Sequence, residues 1–161
     1  MELRSALPKD IPAVHALLRE LIEIENNQEN FTATTSELYN ALFGESPKMS
    51  CWVVQEGELL LGAAMCSPGF VAASCQPILR LLSLVVRDGH RGTEIGSALL
   101  THVAEYAVAA GYDSLDFMVR ETNVLAQSFY SRHGAIRRVE WQTWRLPRSL
   151  LKELAGDSSD P

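Results

Sequence analysis

The chain has 161 residues, 47% of them hydrophobic, and its 20 acidic and 14 basic residues give a net charge of −6. This length fits one compact domain, which we expect over residues 1–155, followed by a polar tail at 156–161. The acidic balance argues against a nucleic-acid-binding surface, which needs a basic face. No apolar run approaches the roughly 20 residues of a membrane helix, and the N-terminus lacks the pattern of a secretory signal, so we expect a cytoplasmic protein that does not contact a membrane.

The first part of the chain is predicted to be mainly helical, after a short strand at residues 3–6. Asp10 is a suitable cap for a helix whose apolar residues recur on one face. Thr34 and Glu37 have the spacing of a capping box, which predicts the start of a second, short helix. Gly44 is expected to end that helix.

The middle of the chain changes to strand-like patterns. Three segments are rich in apolar residues and are predicted to be strands, at residues 51–55, 59–67 and 79–86. The third is almost wholly apolar, which indicates a central position in the sheet. Helical spacing returns over residues 94–110 and ends at Gly111, the residue type usually found just past a helix.

The last part of the chain has strand-like and helix-like patterns in turn. Residues 114–119 are predicted to form a strand, Asn123 to cap a helix that ends at Gly134, and residues 139–146 to form a final strand. The whole order, β-α-α-β-β-β-α-β-α-β, predicts a mixed sheet with helices on its faces, an α/β or α+β fold.

The three cysteines, Cys51, Cys66 and Cys75, include no Cys-x-x-Cys pair. An odd number without close pairs indicates neither a disulfide framework nor a zinc site. Cys51 and Cys66 lie in apolar runs, where cysteine behaves as a small hydrophobic residue. We therefore expect no metal.

The segment with the clearest chemistry is the turn from strand 79–86 into helix 94–110, Arg87-Asp88-Gly89-His90-Arg91-Gly92-Thr93. The first amides of a helix lack partners within the helix and carry the positive end of its dipole, so they can hold a phosphate. Glycine allows close approach to the main chain, and Arg91 adds a fixed positive charge. The pattern is neither a Walker loop nor a dinucleotide fingerprint. By itself it also fits an ordinary strand-to-helix turn.

Two motifs resemble those of the GNAT N-acetyltransferases. Arg91-Gly92-Thr93-Glu94-Ile95-Gly96-Ser97 is similar to that family's pyrophosphate-binding motif, Arg/Gln-x-x-Gly-x-Gly/Ala. Asn123-x-x-Ala126-x-x-Phe129-Tyr130-x-x-x-Gly134-Ala135 is similar to its second signature. The resemblance covers essentially the whole chain. It implies a GNAT fold with a mixed, mostly antiparallel sheet of about six to seven strands, flanked by about four helices.

The resemblance also implies roles for single residues. Tyr130 would be the catalytic general acid that protonates the departing thiolate. The CoA-binding residues would be Leu84, Val85 and Val86 along the pantetheine arm, which lies on the strand edge like an added strand; Arg91, Gly92, Thr93, Glu94, Ile95, Gly96 and Ser97 around the pyrophosphate; and Asn123 and Ala126 beside the CoA arm.

The implied reaction is transfer of an acetyl group from acetyl-CoA, the cosubstrate, to a primary amine by direct attack in a ternary complex without a metal. The acceptor would be a small-molecule or polyamine-like amine, and the protein a homodimer. A narrower resemblance is to the diamine (spermidine/spermine or thialysine) acetyltransferases. It rests on Leu21-Ile22-Glu23-Ile24-Glu25, the Thr34 box, Phe43-Gly44-Glu45 and Trp141-x-x-Trp144-Arg145-Leu146. Glu25, with Glu23 and Glu29, would then form an acidic rim that binds the amine.

The chain departs from the family pattern in two places, at Glu94 and at the pair Leu82-Ser83. Glu94 replaces the middle glycine of the phosphate motif, and its carboxylate would either repel the pyrophosphate or point into water. Leu82 and Ser83 stand where diamine acetyltransferases carry a Glu-Asp pair for amine binding and deprotonation. These departures leave a non-catalytic acyl-CoA-binding module as an alternative to the enzyme. Acetylation of a protein N-terminus or lysine is a second alternative.

Overall fold

A computed structural model describes residues 1–25 and 31–156. The chain divides into two compact units, Met1–Glu121 and a second that begins at Thr122. Glu29 of the predicted acidic rim and residues 157–161 of the predicted tail lie outside the described residues.

The first unit contains a sheet and three α-helices. Its strands are β1 (Glu2–Ser5), β2 (Ser50–Glu56), β3 (Leu59–Val71), β4 (Gln76–Val86) and β5 (Ser114–Phe117), and its helices are α1 (Ile11–Ile24), α2 (Thr35–Phe43) and α3 (Ile95–Ala109). The second unit contains α4 (Val124–Arg132) and α5 (Arg148–Leu154).

The five strands of the described residues lie in the order β1-β2-β3-β4-β5. The first four pair in antiparallel fashion and β5 pairs in parallel with β4. A parallel pair needs a crossover connection, and α3 provides it between β4 and β5. The predicted mixed, mostly antiparallel sheet is therefore confirmed.

The predicted number of strands was too high, and the predicted number of helices too low. Residues 139–146 form no strand, and α5, which the periodicity did not indicate, follows them. A strand needs a neighbour to receive its backbone hydrogen bonds. The described residues of the second unit contain no other strand that would serve as that neighbour.

Each face of the sheet is covered by helices of the first unit. On one face, Val14 and Leu17 of α1 are fully buried in a core with Val53, Ala63 and Val85 of the sheet, and α2 adds Leu38 and Leu42. On the other face, the ring centroids of Trp52 and Tyr106 lie 4.7 Å apart, and this contact joins β2 to α3. The sheet is thus the middle layer of the unit, and it fixes where α3 begins.

The capping box of α2 is confirmed, whereas the predicted cap of α1 was wrong. The Thr34 hydroxyl accepts a hydrogen bond from the Glu37 N–H at 3.2 Å, and the Glu37 carboxylate accepts one from the Thr34 N–H at 2.8 Å. Asp10 makes no capping hydrogen bond to α1. Its carboxylate instead pairs with Arg4 at 2.6 Å and accepts the Leu7 N–H at 2.7 Å, because the guanidinium is a stronger partner than a helix amide.

The cysteines of the strands behave as predicted. Cys51 and Cys66 are buried and free, and burial raises the pKa of each thiol to about 12. A thiol with such a pKa is not a nucleophile near neutral pH. Cys75 is exposed in the turn between β3 and β4.

Candidate active site

The end of β4 extends beyond its parallel neighbour. β5 pairs with β4 only over residues 78–81, whereas β3 accompanies β4 as far as Val86. Over residues 82–86, one edge of β4 is therefore no longer covered by β5. This open edge leads directly into the turn that the sequence singles out.

The register decides which residues present their backbone groups at this edge. The Arg87 N–H donates to the Leu61 carbonyl at 2.8 Å, and hydrogen-bonded pairs alternate along an antiparallel ladder. Val85 therefore bonds to β3, and its side chain lies in the core. Leu84 and Val86 direct their N–H and C=O groups away from β3, toward the open edge. An extended ligand would find two residues there to pair with, in the manner of an added strand.

The turn itself, at residues 87–94, is shaped by two glycines. Gly89 and Gly92 have φ angles of +79° and +77°, in the left-handed region that favours glycine. The His90 N–H donates to the Arg87 carbonyl at 3.1 Å, and the Thr93 hydroxyl donates to the His90 carbonyl at 2.6 Å. These contacts fold the turn back onto the beginning of α3.

The beginning of α3 has the geometry of an anion site. The first helical hydrogen bond runs from the Ala98 N–H to the Glu94 carbonyl at 2.8 Å, so the N–H groups of Ile95 and Gly96 lie before the helical ladder. Ile95 is 3% exposed and anchors the helix in the core, while Gly96 is buried and Ser97 half-buried. The Glu94 side chain is exposed and makes no capping hydrogen bond.

Arg91 connects the turn to the open edge. Its Nε donates to the Val86 carbonyl at 3.1 Å, and its Nη1 lies 3.4 Å from Oδ1 of Asp88. The guanidinium therefore lies against a carbonyl that points to the edge left by β5. An Arg side chain here brings a positive charge between the strand edge and the helix N-terminus, where a diphosphate group would need it.

Leu82 and Ser83, which stand where the diamine acetyltransferases carry two carboxylates, lie at an irregularity of the β3–β4 ladder. Met65 is opposite Ser83 and Cys66 is opposite Leu81, so Leu82 is an extra residue, as in a β-bulge. Leu82 is 53% exposed. The Ser83 hydroxyl is buried, and within residues 1–25 and 31–156 no hydrogen-bond partner is found for it. The bulge therefore carries an apolar side chain and a neutral hydroxyl.

Glu25, the predicted amine-binding residue, is engaged in an ion pair. Its Oε2 lies 3.4 Å from Nε of Arg120, which follows β5. The Glu25 side chain is half-buried, so this contact compensates its charge within the first unit. A cationic amine would have to compete with Arg120 for this carboxylate.

The second unit contains the other predicted residues, all on or beside α4. Oδ1 of Asn123 accepts a hydrogen bond from the Ala126 N–H at 3.0 Å, which confirms the predicted cap. Tyr130 lies four residues after Ala126, on the same face of the helix. Its ring is half-buried and 5.1 Å from that of Phe129. Gly134, with φ of +83°, ends the helix as predicted.

One contact that bears on this site was missed in the sequence analysis. Arg87 lies at the start of the turn, and its guanidinium pairs with Glu20 of α1, 67 residues earlier. No spacing rule connects two positions so far apart, so only the fold reveals the contact.

Residues 14–135 match the model of the acetyltransferase (GNAT) family. The chain therefore belongs to this family, and the predicted resemblance and GNAT fold are confirmed.

Several known proteins are similar to this chain in sequence or in structure. The chain is 27% identical to thialysine N-epsilon-acetyltransferase of Bos taurus, over 96% of each chain. It is 24% identical to spermidine/spermine N(1)-acetyltransferase-like protein 1 of Homo sapiens over 95% of its own length, which spans 23% of that protein. Among solved structures, an integron cassette protein from the mobile metagenome of V. cholerae is 25% identical, with a TM-score of 0.78 and 96% of each chain covered.

The chain is an acetyl-CoA-dependent N-acetyltransferase, as predicted, since its family uses acetyl-CoA as cosubstrate and its relatives acetylate amines. In the part of the chain that the structure describes, no helix is long and apolar enough to cross a membrane. In the same residues, no group of three or more His, Cys, Asp or Glu side chains is placed to hold a metal ion.

Proposed function

We propose that the protein transfers the acetyl group of acetyl-CoA to a small primary amine, by direct attack of the amine on the thioester while both are bound. The observation that carries this proposal is the open edge of β4, which presents Leu84 and Val86 and ends at Arg91 and the N-terminus of α3. These features provide hydrogen bonds for an extended amide-containing arm and, directly beyond it, a site for a diphosphate.

In this proposal the pantetheine arm pairs with Leu84 and Val86, and the pyrophosphate binds at residues 92–97. Gly92 allows the phosphate to approach the main chain, and the N–H groups of Ile95 and Gly96 donate to it. Arg91 contacts the Val86 carbonyl at 3.1 Å. It would turn from that carbonyl toward the pyrophosphate as CoA binds, and the carbonyl would then be available to the arm.

The chemistry requires a proton for the departing sulfur. As the amine nitrogen bonds to the acyl carbon, the carbon–sulfur bond breaks and the nitrogen loses a proton. We assign the proton donor for the thiolate to Tyr130, because the Asn123, Ala126 and Gly134 positions of the same signature adopt the expected cap and helix end. Asn123 and Ala126 are proposed to bind the CoA arm.

The acceptor is proposed from the relatives and from charge. Of the two named relatives, one is called a thialysine N-epsilon-acetyltransferase and the other a spermidine/spermine N(1)-acetyltransferase-like protein, so both names refer to amine-bearing small molecules. A net charge of −6 also favours the approach of a cationic amine. The homodimer and the cytoplasmic location stay predictions.

The experiment is a thiol-release assay with acetyl-CoA and a panel of acceptors: thialysine, spermidine, lysine and a peptide with a free N-terminus. We expect turnover with at least one small amine. Turnover with the peptide alone would instead identify a protein acetyltransferase, and none with any acceptor would contradict the proposal.

The position of the cosubstrate is tested separately by calorimetry with CoA. Arg91→Ala should weaken binding by about tenfold or more, because a charge-assisted hydrogen bond contributes about 1.5–3 kcal/mol. Arg80→Ala is the matched control, since it removes the same charge from an exposed position earlier in β4. Equal affinity of both variants and the unsubstituted protein would remove the turn from the site.

A further inference from the structure

Glu20 of α1 holds the beginning of the turn with both oxygens of its carboxylate. Oε1 accepts a hydrogen bond from Nη1 of Arg87 at 3.1 Å, and Oε2 accepts one from the Asp88 N–H at 3.3 Å. The Glu20 and Arg87 side chains are only 28% and 24% exposed. The pair is thus better shielded from water than an ordinary surface ion pair, which contributes little.

Arg87 is at the same time attached to β3. Its N–H donates to the Leu61 carbonyl and its Nε donates to the Leu60 carbonyl, both at 2.8 Å. The first residue of the turn is therefore held from two directions, by a helix on one face of the sheet and by the neighbouring strand. The Glu20 carboxylate also binds the N–H of the next residue, Asp88.

The rest of the turn depends on these attachments for its shape. Residues 87–94 form neither helix nor strand, and Gly89 and Gly92 allow more backbone conformations than other residues. Asp88, whose N–H is bound by Glu20, has its carboxylate 3.4 Å from Arg91. Glu20 therefore contacts Asp88, and Asp88 in turn contacts the Arg91 guanidinium.

We propose that Glu20 is a positioning residue for cosubstrate binding. It fixes the path of Arg87 and Asp88 and so places Arg91 and the first amides of α3 where the pyrophosphate binds. The inference rests on the proposed CoA site. α1 is already held to the sheet by the buried Val14 and Leu17, so the Glu20 carboxylate is not needed to attach the helix.

The test is Glu20→Gln, measured by CoA calorimetry and by steady-state kinetics. Glutamine keeps one acceptor oxygen but turns an NH2 group toward one of the two donors, so one hydrogen bond is lost. We expect the Kd for CoA and the KM for acetyl-CoA to rise about threefold to tenfold, with kcat changed by less than about twofold. Glu45→Gln, which removes the same charge from an exposed position after α2, should change neither value.

A double-mutant cycle checks the route of the effect. Arg87→Met should also raise the Kd, and combining it with Glu20→Gln should raise the Kd by less than the product of the two single effects, because both remove the same contact. Multiplicative effects would contradict a route through Arg87. A fall in kcat with an unchanged KM would contradict a positioning role.

The outcome of Arg91→Ala distinguishes a failure of the proposed CoA site from a failure of the proposed role of Glu20. If Arg91→Ala weakens CoA binding and a folded Glu20→Gln does not, the role of Glu20 is refuted and the CoA site stands. If neither variant changes the affinity, the proposed CoA site is refuted together with the role of Glu20.

Discussion

Gly62 of β3 allows α3 to approach the sheet, and its replacement tests this packing. A Cβ atom at this position would lie 2.9 Å from the Val85 carbonyl oxygen and 3.1 Å from side-chain carbons of both Ile95 and Leu99. The first contact is with the backbone of β4, and the other two are with the first two turns of α3. Gly62→Ala therefore has to move the strand edge, the helix or both.

Two effects of Gly62→Ala oppose each other. The backbone of Gly62 does not have a positive φ. Alanine would therefore by itself stabilise the fold by about 0.4–1 kcal/mol, because it lowers the conformational entropy of the unfolded chain. Overpacking a well-packed interior costs about 1–3 kcal/mol. Because the Val85 carbonyl is held in the β3–β4 ladder, we expect overpacking to dominate. A net loss of about 1–2 kcal/mol lowers Tm by about 2–8 °C in a chain of this length.

Thermal unfolding of Gly62→Ala, compared with Gly69→Ala, measures this effect. Gly69 lies in the same strand, but its added Cβ would meet side chains and no backbone atom: Nε of the exposed Arg80 at 2.9 Å, which can move aside, and Cγ1 of Ile78 at 3.1 Å. Gly69→Ala should keep Tm within about 2 °C. Because the turn moves with α3, Gly62→Ala should also weaken CoA binding. A Tm for Gly62→Ala equal to or above that of the unsubstituted protein would refute this account of the packing.

Three further outcomes are expected. Tyr130→Phe should lower kcat in the thiol-release assay by about 10²–10⁴-fold and leave the Kd for CoA unchanged; an unchanged kcat would exclude the general-acid role. Glu94→Gly should lower Tm without tightening CoA at low salt, because the exposed carboxylate points into water; tighter binding that weakens with salt would show repulsion of the pyrophosphate. The hydrogen bonds from Arg4 hold the pKa of Asp10 below its usual value, so this stabilisation is present above about pH 4 and is lost as the pH falls through the lowered pKa. The loss of Tm on acidification should be smaller in Asp10→Asn.

The elements that depend on local rules could be predicted from the sequence. The capping box at Thr34 and Glu37 and the glycine that ends α4 both involve residues a few positions apart, and both are present. Asp10 has an equally good local pattern for a cap, but its carboxylate pairs with Arg4 of β1. Residues 139–146 have the pattern of a strand, but a strand also needs a partner. In both cases the outcome depends on a tertiary neighbour that the local pattern does not contain.

In the candidate site, too, some features follow from local patterns and others depend on tertiary neighbours. The motifs predict the shape of the turn, because glycines with positive φ and the start of a helix are local features, and both are present. That Leu84 and Val86, and not Val85, face the open edge follows from the β3–β4 register, which a single strand does not reveal. Glu20 accepts hydrogen bonds from Arg87 and Asp88, which lie 67 and 68 positions later in the chain. Sequence therefore identifies the groups that would meet the cosubstrate, and the fold identifies those that position them.

The bulge in β4 bears on which amines can react. Leu82 and Ser83 provide no carboxylate there, and Glu25 is paired with Arg120. An amine with a pKa near that of lysine, about 10.4, is neutral in roughly one molecule in a thousand near neutral pH, whereas one with a pKa near 8 is neutral in about a tenth or more. Only the neutral form can attack the thioester. Where β4 supplies no base, the acceptor's own pKa decides how much of it can react.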